Sequence, residues 1–214
     1  KYAHVASEKR RMAAQWEYDS SMASDLFGMA LLKSGAETPH QPKWPPGFFA
    51  LAIDPLFAPA LLTVGSLEYQ HGFLKEAMEM FLTLTKLPEN EEDLAVIIDK
   101  AGDFLLDQKD IKNALELYLS GERAYPTQAL HYIGSGYCFY KLGNIEESIR
   151  KERRAVELEP NNYFHLNDLG YSLLEAGLFD EAETVLKRSI SLAPPEYEFA
   201  RNNLELLYER QKAP

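Results

Sequence analysis

Apolar residues recur along the chain in a pattern with a period of 34 residues, interrupted at fixed places by polar or glycine-containing breaks. Three segments superimpose at this period without a gap: Lys100–Pro126, Gly134–Pro160 and Asp168–Pro194. In each segment, two apolar stretches with helical spacing flank a short break, which indicates two antiparallel helices. A fixed period of this length predicts a helix–turn–helix unit that stacks on copies of itself.

Small residues and prolines stand at equivalent places in the three copies. A glycine on the first helix and a small residue on the second let the helices approach closely, and a proline ends the second helix because it cannot continue the hydrogen-bond ladder. These residues are Gly102, Gly136 and Gly170, then Ala114, Ser148 and Ala182, then Pro126, Pro160 and Pro194. At repeat positions 4, 7, 8, 11, 20, 24, 27 and 32, the copies resemble the tetratricopeptide repeat family. The resemblance implies an all-α fold, a right-handed α-solenoid superhelix of helix-turn-helix repeats with a C-terminal capping helix.

Less regular segments extend the array at both ends. Ala58 to about Glu91 resembles a further copy with an irregular end, and the last segment carries the polar face that a solenoid needs to shield its final apolar surface. A first helix is expected within Ser7–Ser34, followed by a proline-rich loop. The predicted organisation is an N-terminal helix, proline-rich loop and degenerate first repeat over 1–57, tetratricopeptide repeats over 58–94, 95–128, 129–162 and 163–196, and a capping helix over 197–214.

Charge and composition argue against some classes of binding partner. Residues 1–57 balance to zero, so the formal net charge of −11 falls on residues 58–214. Phosphate binding needs a basic footprint, so a nucleic-acid partner is not expected. No apolar run approaches the length of a membrane span, so membrane insertion is not expected either. The single cysteine excludes an intrachain disulfide. A cytoplasmic location is the default, and a periplasmic or secreted form stays open because the sequence starts at Lys1 rather than Met.

One basic run interrupts the acidic character, on the second helix of the copy at 129–162. Its residues, Arg150, Lys151, Arg153 and Arg154, are expected to form a solvated convex face. Within the run, Glu152 stands where the family has an aromatic or large apolar residue. Either the helix is rotated there, or the acid pairs with a nearby arginine.

The resemblance also implies where a ligand would bind, because first-helix positions 2, 5, 9, 12 and 13 face the concave groove in this family. The candidate peptide-binding residues are Leu62, Ser66, Tyr69, Asp99, Asp103, Ile133, Tyr137, Tyr140, Phe164, Asn167 and Tyr171. Position 12 often packs inside, so Leu106 and Leu174 are expected to be structural.

The candidate residues combine aromatic anchors with acids. Tyrosines bury a large area at low entropic cost and can hydrogen-bond a peptide backbone. Asp99, Asp103 and Asp107 share one helix face at a spacing of four. This row of aspartates is either a binding site for a lysine or arginine of the ligand or a solvated surface that keeps the solenoid soluble.

One familiar ligand class is not expected. Family members that grip acidic C-termini of heat-shock chaperones use a clamp of lysine, arginine and asparagine side chains. In one frame the equivalent places hold Leu62, Ser66, Lys100, Leu130 and Gly134, and in the other Asp99, Asp103, Gly134, Phe164 and Asp168. The predicted partner is therefore a protein or peptide segment of apolar or basic character rather than an acidic C-terminus.

No motif for catalysis, a metal or a cofactor is present, so we expect neither an enzyme nor a cofactor. The histidines fall at unrelated positions, without the pairing of a metal site, and Cys138 is expected to be a buried small apolar residue. Three functional interpretations stay open: a peptide-binding scaffold, a regulatory or targeting domain of a larger enzyme, and a self-assembling homo-oligomer. For the last of these, Trp44, Phe48 and Phe49 are the candidate docking residues, unless they pack over the first helix pair of their own chain.

Overall fold

A computed structural model of the chain describes residues 46–89 and 93–212. Every regular element in these two ranges is an α-helix, which confirms the all-α class. The helix expected within Ser7–Ser34, the proline-rich loop and Trp44 lie outside the described residues. The helices are α1 (Pro46–Ile53), α2 (Ala58–Gln70), α3 (Leu74–Leu84), α4 (Leu94–Asp107), α5 (Ile111–Ala124), α6 (Ala129–Lys141), α7 (Ile145–Leu158), α8 (Tyr163–Glu175), α9 (Phe179–Leu192) and α10 (Phe199–Lys212).

The turns between paired helices use a left-handed residue and a polar cap. Gly143 and Gly177 have φ values of +79° and +74°, which glycine adopts without a steric penalty. Lys109, at the equivalent place one repeat earlier, has a φ of +62° despite its side chain. After two of these turns, Asp110 and Asn144 accept hydrogen bonds from backbone N–H groups of the helix that follows. The turn chemistry therefore sets where each second helix begins.

The chain divides into two compact units, one ending at Ala101 and the other beginning at Gly102. In the first unit α2 packs on α1 and α3, around buried Leu61 and Phe81. Phe48 is also buried, 9% exposed, which favours packing within its own chain over docking into another copy.

In the second unit the paired helices α6–α7 and α8–α9 stack on each other, with α5 packed on α6 and α10 packed on α8 and α9. Its core includes Leu173, Leu186 and Leu207. Helix α10 buries Leu207 and exposes Glu205, as a capping helix does. This stack of helix pairs confirms the repeat solenoid.

The basic run on α7 is only partly a solvated face. Its three arginines are exposed and paired with acids: Arg150 with Glu147, Arg153 with Glu181 and Arg154 with Glu157. Lys151 is 6% exposed, and its Nζ forms an ion pair with buried Glu122 of α5. Glu122 also accepts a hydrogen bond from the hydroxyl of Ser135. The expectation of a solvated lysine was wrong because Lys151 points into the contact with the preceding repeat.

Glu152 is buried, 3% exposed, and neither explanation offered from the sequence holds. Its Oε1 accepts hydrogen bonds from Ser148 Oγ and Ser172 Oγ, each at 3.0 Å, so its partners are hydroxyls rather than an arginine. Helix α7 is not rotated, since Glu152 lies against Gly136 of its own repeat, as Tyr118 lies against Gly102 one repeat earlier.

In the part of the chain that the structure describes, no helix combines the length and apolar character needed to cross a lipid bilayer.

Candidate peptide-binding face

Six of the seven predicted first-helix residues of the second unit lie on α6 and α8, which are in contact with each other. We call this surface the ligand face, and it consists of Ile133, Tyr137, Tyr140, Phe164, Asn167 and Tyr171. Asn167 is buried, Tyr137 and Phe164 are exposed, and the other three are half-buried. Leu174, at position 12, is buried, as expected for a structural residue.

Tyr140 and Tyr171 form the centre of the ligand face. Their ring centroids are 5.6 Å apart in an edge-to-face arrangement, and their hydroxyl oxygens are 3.2 Å apart. The hydrogen bond to Tyr140, together with burial, raises the pKa of Tyr171 to about 12. The Tyr171 phenol is therefore neutral at physiological pH, and the hydrogen bond between the two hydroxyls holds both rings in place on an amphipathic surface.

Tyr137 adds an exposed aromatic ring beside this pair. It is 42% exposed, and Lys141 Nζ lies 5.1 Å from its ring centroid. This distance is within the range of a cation–π contact. The Tyr137 ring therefore already contacts the ammonium group of Lys141, and its exposed part could contact an apolar or cationic group of a ligand.

Two amides and a carboxylate lie on the α10 side of the ligand face. Asn167 Oδ1 accepts a hydrogen bond from Asn203 Nδ2 at 2.9 Å, and Asn167 Nδ2 donates to Asp168 Oδ1 at 3.2 Å. Burial raises the pKa of Asp168 to about 6, and the hydrogen bond from Asn167 opposes that shift. At neutral pH the carboxylate is ionised and partly desolvated, which strengthens its attraction for a cation.

Phe164 belongs to a larger aromatic cluster than the sequence analysis identified. Its ring centroid lies 4.3 Å from that of Tyr163 and 5.1 Å from that of Tyr197. Sequence reasoning missed both tyrosines, although they are separated by one repeat length of 34 residues and therefore occupy the same repeat position. That coincidence of aromatic residues was the available signal.

The remaining candidate residues lie elsewhere. Asp103 is exposed on α4, and Tyr118 Oη donates a long hydrogen bond of 3.5 Å to its Oδ1. Desolvation of its partly covered carboxyl group raises the pKa of Asp103, the hydrogen bond from Tyr118 opposes that shift, and the charge of Asp107 adds to it. Four candidates are half-buried residues of the first unit, so their grouping with the ligand face stays a prediction: Leu62, Ser66, Tyr69 and Asp99.

The described residues offer little for metal or thiol chemistry. Across 46–89 and 93–212, no group of three or more histidine, cysteine, aspartate or glutamate side chains could hold a metal ion. Cys138 is fully buried, as predicted, and burial raises its pKa to about 12. A thiol in this state is a poor nucleophile.

The sequence model of the tetratricopeptide repeat family matches residues 100–163 and, in an overlapping register, residues 136–197. These matches contain the ligand face. Residues 100–197 are tetratricopeptide repeats. The repeats are also similar to Superkiller protein 3 of Saccharomyces cerevisiae, with 26% identity over 102 residues. That match covers 48% of this chain and 7% of the length of the curated relative.

Solved tetratricopeptide repeat structures share the fold. YrrB, described as having an unusual peptide-binding site, matches with a TM-score of 0.55 and 19% identity over 78% of this chain and 84% of its own. The first such domain of Spaghetti (RPAP3), bound to the HSP90 peptide SRMEEVD, matches with a TM-score of 0.51 and 18% identity over 56% and 94%. The Sgt2 domain of Aspergillus fumigatus matches with a TM-score of 0.52 and 13% identity over 55% and 79%. At these identities the likeness shows the fold alone.

Proposed function

We propose that this chain is a non-catalytic interaction scaffold that binds an apolar or basic peptide segment on the ligand face of its tetratricopeptide repeats. The observation that carries the proposal is the run of aromatic side chains along consecutive first helices, from exposed Tyr137 through the Tyr140–Tyr171 pair to exposed Phe164. Such residues bind by burying area and donating hydrogen bonds at little entropic cost.

The charge of the second unit supports the ligand class. Asp103 and Asp168 are carboxylates at or beside first-helix positions, and Asp168 is ionised at neutral pH in a partly desolvated place. The peptide SRMEEVD, bound by the RPAP3 domain, ends in acidic residues. A ligand of that kind would be repelled here, whereas an apolar or basic segment would be attracted.

The test compares the ligand face with another exposed apolar surface of the same repeats. Peptides are selected from a random display library on the intact chain, and their affinities are measured for two double variants by fluorescence anisotropy. Tyr137→Ala/Tyr171→Ala truncates the ligand face. Leu142→Ala/Leu178→Ala truncates two leucines that are each 46% exposed at the helix turns.

We expect the tyrosine variant to lose affinity by about 30-fold or more, the loss typical of interface anchors, while the leucine variant stays within about twofold. Circular dichroism checks that both variants are folded. Equal losses in the two variants, or unchanged affinity in the tyrosine variant, would contradict the proposed site. Selected peptides rich in aspartate and glutamate would contradict the proposed ligand class.

A further inference from the structure

Four aromatic side chains, two of them exposed and two half-buried, form a contiguous cluster in the second unit. This aromatic patch consists of Tyr163, Phe164, Tyr197 and Phe199. Phe164 is 50% exposed, and Phe199, at 66%, is the most exposed large apolar side chain among the described residues. Single exposed apolar residues are common, but a contiguous aromatic cluster marks an interaction surface.

The rings of the aromatic patch hold one another in place. Tyr197 packs edge-to-face on Tyr163 and Phe164, with centroid separations of 4.9 Å and 5.1 Å, and lies 5.4 Å from Phe199. Each such contact restricts the rotamers of both rings, so a ligand that binds on their outer faces has little side-chain entropy to remove.

Acidic residues surround the patch. Glu196 and Glu198 are exposed and alternate with two of its aromatic residues along the chain. Asp168 is close enough to Tyr197 for its charge, after burial, to contribute to raising the pKa of that phenol to about 12. The nearby Arg201 is engaged with backbone, since its Nη1 donates to the carbonyl oxygens of Pro195 and Tyr197 at 2.8 Å and 3.2 Å.

We propose that the aromatic patch is the specificity pocket for an arginine of the bound peptide, with the guanidinium stacked on an exposed phenylalanine ring and paired with Asp168. The negative π-face of a ring attracts a cation, and a planar guanidinium covers the ring better than an ammonium does. The apolar stem of the arginine covers the rest of the patch. A carboxylate has lone pairs beyond the one that Asn167 occupies, so Asp168 can accept from an arginine as well.

This inference rests on the proposed function, because Phe164 belongs to the ligand face, and it adds the residue that the site selects. Partners of different chemistry would use the patch differently. A second copy of the chain would bring further acidic residues to it, since the net charge is −11, and would be repelled.

The probe is a fluorescein-labelled nonapeptide of alternating leucine and arginine, measured by anisotropy against the intact chain. Two matched peptides carry lysine or citrulline in place of arginine, and citrulline keeps the shape of arginine without its charge. We expect affinity to fall about tenfold or more with citrulline and by a smaller factor with lysine. Equal binding of the arginine and citrulline peptides would overturn the proposal.

Variants of the chain locate the contact. Phe164→Leu/Phe199→Leu keeps apolar volume but removes the π-faces, and Asp168→Asn removes the charge. We expect each to reduce the preference for arginine over citrulline by about threefold or more, while Leu142→Ala/Leu178→Ala leaves that preference unchanged. The preference is a ratio of two affinities for one protein sample, so partial unfolding does not change it.

The outcomes separate this inference from the proposed function. Binding that depends on Tyr137 and Tyr171 but not on the aromatic patch would contradict the arginine pocket and leave the scaffold proposal standing. Failure of all three peptides to bind the intact chain would contradict the arginine pocket, while the display selection tests the scaffold separately. Light scattering that shows a dimer, lost in Phe164→Leu/Phe199→Leu, would identify the patch as a self-contact and overturn the proposal.

Discussion

Tyr118 of α5 and Glu152 of α7 occupy the same position in consecutive repeats, 34 residues apart. The ring of Tyr118 fills space beside two glycines: a Cβ atom added to Gly102 or to Gly134 would lie 2.2 Å from it. A Cβ atom added to Gly136 would lie 2.9 Å from the Cγ atom of Glu152, so the contact within that repeat is looser. The space between the two helices of a repeat is therefore filled by an aromatic ring in one repeat and by a carboxylic side chain in the next.

The residue that the following first helix places against this position also differs between the two repeats. Gly134 makes room for the Tyr118 ring, whereas Asp168 stands at the equivalent place after Glu152. The serine hydroxyls around Glu152 replace the contacts that a ring would make. The comparison indicates that the second glycine is needed only where the preceding second helix presents an aromatic ring.

The two repeats also differ in how they respond to pH. The pKa of Glu152 is raised to about 8, mainly by burial. The hydrogen bonds from Ser172 and Ser148 oppose this shift, and the charge of Asp168 contributes to it. A carboxyl group with this pKa is mostly protonated at neutral pH. The equivalent position in the preceding repeat, Tyr118, carries no carboxyl group.

The largest expected change in the free energy of unfolding concerns the repeat that contains Tyr118. Tyr118→Ala should lower the free energy of unfolding by about 3–5 kcal/mol, because it leaves a cavity between helices that cannot close onto two glycines. Urea denaturation followed by circular dichroism measures this loss. Tyr118→Phe is the control, expected to cost about 1 kcal/mol or less, since it keeps the ring and removes the hydroxyl with its long hydrogen bond to Asp103. A loss below about 1 kcal/mol for Tyr118→Ala would show that the ring is not what closes this repeat.

The next effect is specific to Glu152 and depends on pH. The folded-state pKa of Glu152 is about 8 against the ordinary value of 4.5, so the folded state holds this proton more tightly than the unfolded chain. The stabilisation from this group is full below about pH 4.5 and is lost as the pH rises to about 8, on the order of 5 kcal/mol in total. Glu152→Gln should remove this part of the pH dependence.

Urea denaturation at pH 5, 7 and 9 tests this expectation. Relative to the unsubstituted chain, Glu152→Gln should gain most at pH 9 and least at pH 5. The control is Glu147→Gln on the same helix, where hydrogen bonding from Arg150 lowers the pKa. The pH dependence of that group therefore lies below about pH 4.5, and the difference between Glu147→Gln and the unsubstituted chain should stay constant from pH 5 to pH 9. Parallel stability curves for the chain and Glu152→Gln would contradict a protonated, buried Glu152.

The smallest expected effect concerns the surface contact between the Glu152 repeat and the one that follows. Arg153 and Glu181 are each nearly half exposed and form an ion pair at 2.8 Å. Arg153→Ala should lower the free energy of unfolding by about 1 kcal/mol or less, because solvent and salt screen exposed pairs. Thermal unfolding at low and high salt measures it. A loss as large as that of Tyr118→Ala would mean that surface charge, rather than the buried position, joins these repeats.

Much of the fold could be predicted from local sequence. Pro126, Pro160 and Pro194 follow second helices that end at Ala124, Leu158 and Leu192. The glycine-containing turns stand where the chain takes a left-handed conformation. These features act within a few residues along the chain, so their effect can be derived without knowing what packs against them.

The misinterpreted residues depend on groups distant in sequence. Lys151 appeared solvated because it stands in a basic run, but its partner Glu122 is 29 residues away. Glu152 appeared to require an arginine or a rotated helix, but Ser172 of the next repeat accommodates it. A side chain on the contact between repeats cannot be assigned from its immediate neighbours.

The sequence by itself determined the repeat, its period, the helix ends and the first-helix positions at which a ligand face would form, because periodicity and backbone sterics are local properties. Only the tertiary structure decided which of those positions are exposed, that Tyr140 and Tyr171 pair, and that Tyr163 and Tyr197 join Phe164 in one aromatic patch. Burial and pairing depend on the distance between side chains of different repeats, and that distance exists only once the helices have packed.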